Sequence, residues 1–388
     1  MRAERDCVLA LSLMRGIGSR RLAALVAHFG SAARAWEAPC EELEACPGLP
    51  KSVAERLAKT RRAVDPSEFS AGLARKGLRT VTVLDADYPP GLRSLADCPP
   101  VLYVRGDAAC LAAPGVAVVG TRKPTPYGLE TTGRLAAGLA AAGLSVISGL
   151  AVGIDTAAHR AALEAGGVTV AVLGSGHDRL YPERNAGLAA EIARHGGAVI
   201  SQFPPDTLPL GRNFVARNRV VAGLGLAVLV TEAPEESGAL ITAAFARLFG
   251  RPVMTVPGPV SSPASGGCLG LLREGARAVG SAADVVADLG FPVAPADGSA
   301  AAPAVGRATG SAAAPAAGRA SGPPRETGPR VEGDAAKVLD CLTPGEVVPF
   351  ALLLARTGLG ADRLGTLLGL LEVKGLVSRQ PGEHYSRV

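Results

Sequence analysis

The stretch from Val116 to Gly280 alternates short apolar segments with alanine-rich helical segments, and this alternation constrains the fold more than any other feature. Glycines follow the apolar segments closely, as in VAVVGTRKPTPYG, SVISGLAVGID and VTVAVLGSGH. Strands that alternate with helices are typical of βαβ units and a parallel sheet. Ligands bind such sheets at the carboxyl ends of the strands, where these glycines fall. The sequence therefore predicts an α/β core whose ligand site is formed by several converging loops.

The pattern is regular enough to place individual elements. Strands are predicted near residues 116–119, 144–147, 168–173, 197–200, 226–231 and 252–256. The clearest helices are predicted near residues 127–142, 154–166, 185–195 and 238–249. Two upstream apolar runs that prolines separate, 81–84 and 101–104, are predicted to extend or edge the same sheet.

The first 65 residues indicate a separate helical domain. Apolar residues recur there at helical spacing, and glycine-containing turns at residues 16–18 and 47–49 are typical of a helix-hairpin-helix (SAM-like) module. Backbone amides at such turns can face a phosphate. The same pattern also fits ordinary helical turns that serve as a scaffold, and few cations lie beside these turns.

The C-terminal part divides into a linker and a small domain. Residues 291–332 are rich in Ala, Pro and Gly, which predicts a disordered linker. Residues 333–388 predict three helices and a hairpin that turns at Pro381-Gly382, which is the pattern of a winged helix. Winged helices often bind duplex DNA through the third helix. Here that helix offers mainly Arg363, Glu372 and Lys374, so a protein-contact or regulatory role fits at least as well.

Composition narrows the classes of function. The chain has 388 residues and a net charge of +5, which permits an acidic partner such as nucleic acid without requiring one. An aromatic content of 4% argues against a broad base-stacking platform. The seven cysteines include no Cys-x-x-Cys pair, so neither a disulfide framework nor a zinc site is expected. No apolar run has the length of a membrane span, and a cytoplasmic protein is predicted.

Two loops at predicted strand ends suit phosphate contact. Gly120, Thr121, Arg122 and Lys123 combine a tight turn with a hydroxyl and two cations, although a solvated basic turn explains them too. The loop that begins with Ser148 and Gly149 and reaches Gly153 opens a helix, and its amides can bind an anion. It matches neither G-x-G-x-x-G nor a Walker motif, so no cofactor is indicated.

Asp155 and His159 lie four residues apart on one predicted helix face. They fit either an acid–base pair or a capping aspartate beside a core histidine, and the second interpretation is the simpler one.

The segment from residue 212 to residue 219 is the strongest nucleic-acid signal. Its polar and aromatic members are Arg212, Phe214, Arg217, Asn218 and Arg219. Arginine forks bind phosphates, and a phenylalanine stacks on a base with about 1–3 kcal/mol. The alternative is a core Phe214 with Arg219 paired to a carboxylate such as Glu232. Further along, Ser237, Gly238 and Thr242 begin another helix, with hydroxyls and amides that would face the strand ends.

Taken in order, the motifs GTR, SGLAVGID, LGSGHDRLYPERN, RNRVVAGL, ESGALITAA and VPG resemble those of the DNA-processing protein A family (DprA, also called Smf). The match spans roughly residues 66–290, and the two flanking regions fit the usual family architecture. The resemblance implies an extended Rossmann-like domain that binds single-stranded DNA in a basic pocket and forms a homodimer. It also implies protection of incoming strands in natural transformation and help in loading the RecA recombinase. No catalytic turnover is generally attributed to the family.

The resemblance also implies roles for single residues. Arg122 would hold a phosphate, the loop around Gly149 would line the pocket, and Phe214 would stack on a base with Arg217 and Arg219 beside it. Many members carry a lysine close before the aromatic residue, where this chain has Arg212 at a neighbouring position. Three further positions depart from the family pattern, so details of the pocket are expected to differ from those of the family. They are Gln202, where a glutamate is common, Val215, where a proline is common, and Leu269, where an asparagine is common.

Two other functions fit parts of the sequence. A nucleotide-binding enzyme of the related lysine-decarboxylase-like (phosphoribohydrolase) fold would use the same loops, but its Pro-Gly-Gly-x-Gly-Thr run is absent. A winged-helix transcription regulator with a sensory Rossmann domain fits less well, because the C-terminal segment is only weakly basic.

Overall fold

The computed structural model describes residues 4–95, 97–291, 333–343, 346–380 and 384–388. Apart from residue 291, the predicted linker 291–332 lies outside the described residues, as does the predicted turn at Pro381-Gly382.

The N-terminal part of the described chain is helical. Its helices are α1 (Glu4–Leu13), α2 (Ser19–Phe29), α3 (Ala32–Glu37), α4 (Cys40–Glu44), α5 (Lys51–Thr60) and α6 (Pro66–Arg75). Apolar side chains of α1 to α5, among them Leu11, Leu22 and Trp36, form one buried cluster. The turns predicted around residues 16–18 and 47–49 join α1 to α2 and α4 to α5. A second, smaller cluster packs Leu9 and Leu73 against the first strands of the sheet.

A nine-stranded sheet organises the central part. Its strands are β1 (Arg79–Thr82), β2 (Val101–Gly106), β3 (Gly115–Val119), β4 (Ser145–Ser148), β5 (Thr169–Leu173), β6 (Ala198–Ser201), β7 (Val228–Val230), β8 (Val253–Thr255) and β9 (Arg277–Ala278). Their order across the sheet is β1-β2-β6-β5-β4-β3-β7-β8-β9. The strands from β6 to β9 are parallel, and β1 and β2 add an antiparallel edge. The predicted parallel sheet with two edge runs is therefore confirmed.

Helices cover both faces of this sheet. They are α7 (Pro90–Arg93), α8 (Pro126–Ala141), α9 (Ile154–Glu164), α10 (Ala186–Arg194), α11 (Gly211–Leu224), α12 (Ala239–Leu248), α13 (Gly266–Arg273) and α14 (Ala282–Asp288). Neighbouring residues of β3, such as Ala117 and Val118, belong to different apolar clusters, and both are fully buried. Burial on both faces is typical of parallel sheets and explains why the strands are continuously apolar.

The C-terminal part forms a winged helix. Its elements are α15 (Asp334–Asp340), β10 (Val347–Pro349), α16 (Phe350–Thr357), α17 (Ala361–Val373), β11 (Val377–Gln380) and β12 (His384–Arg387). The three helices agree with the prediction, and β10 joins the predicted hairpin in a sheet of order β10-β12-β11. Leu364, Leu368 and Leu371 of α17 are buried in the core of this unit, and α17 also packs against α11 and α12.

None of the helices in the described ranges is both long and apolar enough to cross a membrane.

Candidate nucleic-acid interface

A pocket of about 790 Å³ lies at the carboxyl ends of the central strands. The chain runs outward from β3 through β4 and β5 to β6, and then returns to place β7 on the other side of β3. Loops after β3 and β7 therefore diverge at this point and leave a crevice, which is where open α/β sheets bind ligands. The loop after β4 and the first turns of α11 and α12 complete the walls.

Most of the predicted site residues meet in this pocket. Those that line it are Gly120, Thr121, Arg122, Lys123, Gly149, Phe214, Arg217, Asn218, Ser237, Gly238 and Thr242. Segments that are more than one hundred residues apart in the chain are thus brought to one cavity, as expected for loops at the same edge of a parallel sheet.

Four predicted residues do not line the pocket. The Ser148 hydroxyl is fully buried and donates to the Val118 carbonyl at 2.7 Å. Gly153 packs beneath the loop that carries Arg122, since an added Cβ would lie 2.5 Å from the Thr121 carbonyl oxygen. Arg212 is exposed outside the cavity.

Arg219 is the fourth, and it points to the opposite side of α11. Its guanidinium pairs with Asp97 at 3.5 Å and lies over the rings of Phe245 and Phe249. Arg219 therefore pairs with a carboxylate, as the alternative interpretation stated, but this carboxylate is Asp97 and not Glu232. The Glu232 carboxylate instead accepts hydrogen bonds from the amide of Thr125, at 2.8 Å, and from its hydroxyl.

Arg217 is a buried residue that ties two strand ends together. Its side chain donates to the carbonyl oxygens of Gly149 and of Val172, the latter at 2.7 Å, and to Oδ1 of Asn218 at 3.1 Å. Burial lowers the pKa of Arg217 to about 10, while Asp155 acts in the opposite direction. The guanidinium therefore stays protonated at neutral pH, and its donors are largely engaged with the protein.

Asp155 holds the loop after β4 from the other side. Its Oδ2 accepts from the amides of Gly149, at 3.1 Å, and of Ala151, at 3.2 Å. Burial raises the pKa of this carboxyl, whereas Arg217 and the Ala151 amide lower it. Only glycine fits at position 149, because an added Cβ would lie 2.5 Å from the Arg217 guanidinium and 2.8 Å from Oδ2 of Asp155. The sequence predicted that the amides of this loop bind an anion, but those of Gly149 and Ala151 already donate to Asp155.

The same loop contains Leu150 in the left-handed region at φ 57°, which is uncommon for a non-glycine residue. Asn185 stabilises this conformation by donating from Nδ2 to the Leu150 carbonyl at 2.8 Å. The loop is therefore held in one shape by its neighbours, as strained backbone at binding sites commonly is.

His159 belongs to the core and not to the pocket. It is fully buried, and its Nδ1 lies 2.7 Å from the Thr169 hydroxyl. Burial lowers its pKa to about 3. The structure therefore supports the interpretation of His159 as a core histidine. Asp155 accepts hydrogen bonds from the loop amides of Gly149 and Ala151.

Phe214 forms the apolar floor of the pocket. Its half-buried ring rests against Gly174 and lies 5.6 Å from the guanidinium carbons of both Arg122 and Arg217. The Tyr181 ring lies 5.8 Å away at an angle of 62°. Tyr181 also lines the pocket and is 49% exposed, yet the sequence analysis did not single it out. An aromatic residue within a strand-end loop was the signal that could have found it.

Arg122 and Lys123 are the exposed cations of the site. Neither forms an ion pair with another residue in the described part of the chain. Both follow β3 on a loop fixed to the end of β7 through the Thr121 amide, which donates to the Glu232 carbonyl at 2.7 Å. They are therefore positioned to bind phosphate from solvent.

The C-terminal unit contributes two further residues to the pocket, and the sequence did not indicate that either of them would lie there. Arg363 and Thr366 of α17 line the cavity near Glu236. Their contribution depends on how α17 packs on α11, which sequence patterns do not report.

Comparisons with known proteins identify the family of this chain. Residues 79–290 match the family model described as DNA recombination-mediator protein A, and residues 321–383 match the DprA winged helix domain. Protein Smf of Synechocystis is 35% identical over 99% of both chains. The DNA processing protein DprA of Bacillus subtilis is 38% identical over 56% of this chain and 74% of its own.

Among solved structures, DNA processing protein A from Streptococcus pneumoniae superposes with a TM-score of 0.63 at 32% identity, over 74% of this chain and 99% of that one. The family resemblance that the motifs indicated is therefore confirmed at the level of sequence and of fold. The chain belongs to the DNA recombination-mediator protein A (DprA/Smf) family.

Proposed function

We propose that this protein has a DNA-processing role and binds single-stranded DNA in the pocket at the carboxyl ends of β3, β4 and β7. The observation that carries the proposal is the convergence of two exposed cations, Arg122 and Lys123, with the rings of Phe214 and Tyr181 in one open cavity. Family membership supports the DNA-processing role.

The chemistry of the pocket favours a single strand over a duplex. Arg122 and Lys123 suit the phosphates of the backbone, and Phe214 with Tyr181 offers ring faces and edges to a base. A base can reach Phe214 only when it is unpaired, because the ring is half buried at the floor of the cavity. Stacking tolerates every base, so little sequence preference is expected.

Fluorescence anisotropy with labelled oligo-dT and a duplex of equal length, each across a salt series, tests this proposal. The protein should prefer the single strand, with an affinity that falls steeply as salt rises. Arg122→Ala should weaken binding and reduce the slope of log K against log salt by about 0.7, the value for one lost phosphate contact on a single strand.

Arg194→Ala is the matched control. Arg194 is exposed at the C-terminal end of α10, before the start of β6. It therefore lies near the amino ends of the parallel strands, whereas the pocket lies at their carboxyl ends. Binding by Arg194→Ala should match that of the parent. A folded protein without strand binding, or an Arg122→Ala variant with parental binding, would contradict the proposal. Binding of nucleoside monophosphates in place of strands would favour the nucleotide-enzyme alternative.

We also propose that the protein acts in the cytoplasm as a homodimer and delivers strands to the RecA recombinase, in natural transformation or general DNA processing. Family membership supports these partners. Light scattering coupled to size exclusion should give twice the chain mass. Addition of the protein should speed ATP hydrolysis by RecA on strands that are precoated with a single-strand-binding protein. A monomer, or no change in RecA activity, would count against the respective partner.

A further inference from the structure

Helix α17 is packed closely on the helix that carries Phe214 and Arg217. Gly365 and Gly369 lie four residues apart on α17 and so share one face of the helix. An added Cβ at Gly369 would lie 2.7 Å from a methyl carbon of Val215, and one at Gly365 would lie 3.9 Å from the backbone of Arg212. Because these two positions carry no side chain, the backbone of α17 lies close to α11 there.

Another face of α17 belongs to its own unit. Leu364, Leu368 and Leu371 are buried with apolar residues of α15, β11 and β12. The winged helix thus keeps a complete core of its own while it rests on the central domain. The winged helix lies beside the pocket because α17 packs on α11 and α12 of the central domain.

Arg363 stands where this contact meets the pocket. Its guanidinium lies 2.5 Å from Glu236 and 3.3 Å from Asp334. Arg363 is 27% exposed, whereas Glu236 is 71% exposed and begins the segment that leads into α12. One partner of the arginine therefore lies within its own unit, and the other is a largely exposed carboxylate across the contact.

We propose that the C-terminal winged helix is the outer wall of the strand-binding site and that Arg363 is a phosphate-binding residue of that site. In the strand-free protein, Glu236 occupies the position on Arg363 that a backbone phosphate takes when a strand binds. The inference rests on the proposed single-strand binding and extends it to a second structural unit.

The winged helix forms one side of the pocket and does not fill it. Among the described residues of the winged helix, Arg363 and Thr366 reach the cavity, which keeps a volume of about 790 Å³ with α17 in place. A nucleotide can therefore enter without displacement of the winged helix. Strand phosphates that pass between Arg122 and Lys123 on one side and Arg363 on the other would meet cations from both units.

The energetics of the exchange are favourable. A largely exposed carboxylate such as Glu236 contributes little through its ion pair, because water screens it and its side chain loses freedom. A phosphate that replaces it keeps the charge on Arg363 compensated and accepts hydrogen bonds from the guanidinium donors that Asp334 leaves available. Asp334 holds the arginine in place throughout.

The test measures binding of labelled oligo-dT by the full chain at several salt concentrations. Arg363→Ala should weaken binding about three- to tenfold and make the salt dependence shallower. Arg356→Ala is the matched control, since Arg356 pairs with Glu346 at 3.0 Å in the same unit and does not line the pocket. It should bind like the parent.

Glu236→Gln separates an exchange from simple repulsion. The variant should bind more tightly than the parent, and the gain should be smaller in the Arg363→Ala background, where no cation is released. An equal gain in both backgrounds would show that Glu236 only repels the strand, and would overturn the exchange.

The outcomes also separate this inference from the function on which it rests. Parental or tighter binding by Arg363→Ala, together with a loss in Arg122→Ala, would overturn the wall and leave the pocket intact. Absence of strand binding by the parent protein would overturn both.

Discussion

Two arginines that look equivalent in the sequence have different roles in the structure. Arg122 is exposed and forms no ion pair within the described ranges, whereas Arg217 is 4% exposed and donates to the carbonyls of Gly149 and Val172. The motifs could indicate that both lie near the glycine-rich loops. They could not indicate burial, because the groups that cover Arg217 come from β4 and β5, more than forty residues away.

The first prediction follows from this contrast and concerns stability. Arg217→Ala should lower the free energy of unfolding by about 3–5 kcal/mol, because it leaves Asp155 without its compensating charge in a buried site. Arg122→Ala should change it by no more than about 0.5 kcal/mol, as is usual at the surface. Urea unfolding of both variants measures the difference, and equal losses would contradict the structural role of Arg217.

The second prediction concerns acid stability. Burial lowers the pKa of His159 to about 3 and that of His177 to about 4. The unfolded chain takes up these protons near pH 6.5. Between that pH and the folded-state values it binds more protons than the folded chain, so stability falls as the pH drops. Each histidine should cost about 2 kcal/mol between pH 7 and pH 5.

Unfolding at both pH values in His159→Gln should therefore show a smaller pH-dependent loss than in the parent. His195→Gln is the control, because His195 is exposed at the end of α10. A pH dependence in His159→Gln as steep as in the parent would show that His159 does not titrate as described.

Among the elements of the central part, the sequence predicted the strands well and the helices less completely, since α7, α11, α13 and α14 were not placed. Each predicted core strand is present, with its bounds within two residues, because an apolar run buried on both faces and followed by a turn has few other uses. Helix α11 was not among the predicted helices. Its apolar residues do not form one stripe, since one side of the helix packs on the sheet and another on α17. A helix covered on several sides lacks the amphipathic signal.

The third prediction concerns the contact between α17 and α11. Gly369→Leu should force α17 away from α11, because even a Cβ at this position would lie 2.7 Å from Val215. The winged helix should stay folded, since its own core lies on another face of α17. Small-angle scattering should show a larger radius of gyration for this variant.

Gly360→Leu is the matched control for that experiment, because nothing lies within 4 Å of an added Cβ at this position. Its radius of gyration should equal that of the parent. An unchanged radius in Gly369→Leu would mean that the two helices are not held together through this face.

For the whole molecule, the order of the motifs predicted the family and the parallel core. It did not predict how the winged helix packs on the central domain. The contact of α17 with the pocket depends on Arg363 and Glu236, which are 127 positions apart and carry no shared pattern. The division of the chain at residues 65/66, 290/291 and 332/333 stays a prediction. The net charge of +5 is modest, so the position of the cations at the pocket and not their number should determine strand binding.

Photo-crosslinking would show directly whether a single strand binds at Phe214 and Tyr181. Oligo-dT that carries 5-iodouracil would be irradiated with the full chain, and the crosslinked tryptic peptides would be identified by mass spectrometry. Cleavage after arginine places Phe214 in the peptide of residues 213–217 and Tyr181 in that of residues 180–184. We expect the strand to crosslink to one or both of these peptides. A strand that crosslinks only elsewhere, for example to the N-terminal helices, would contradict it.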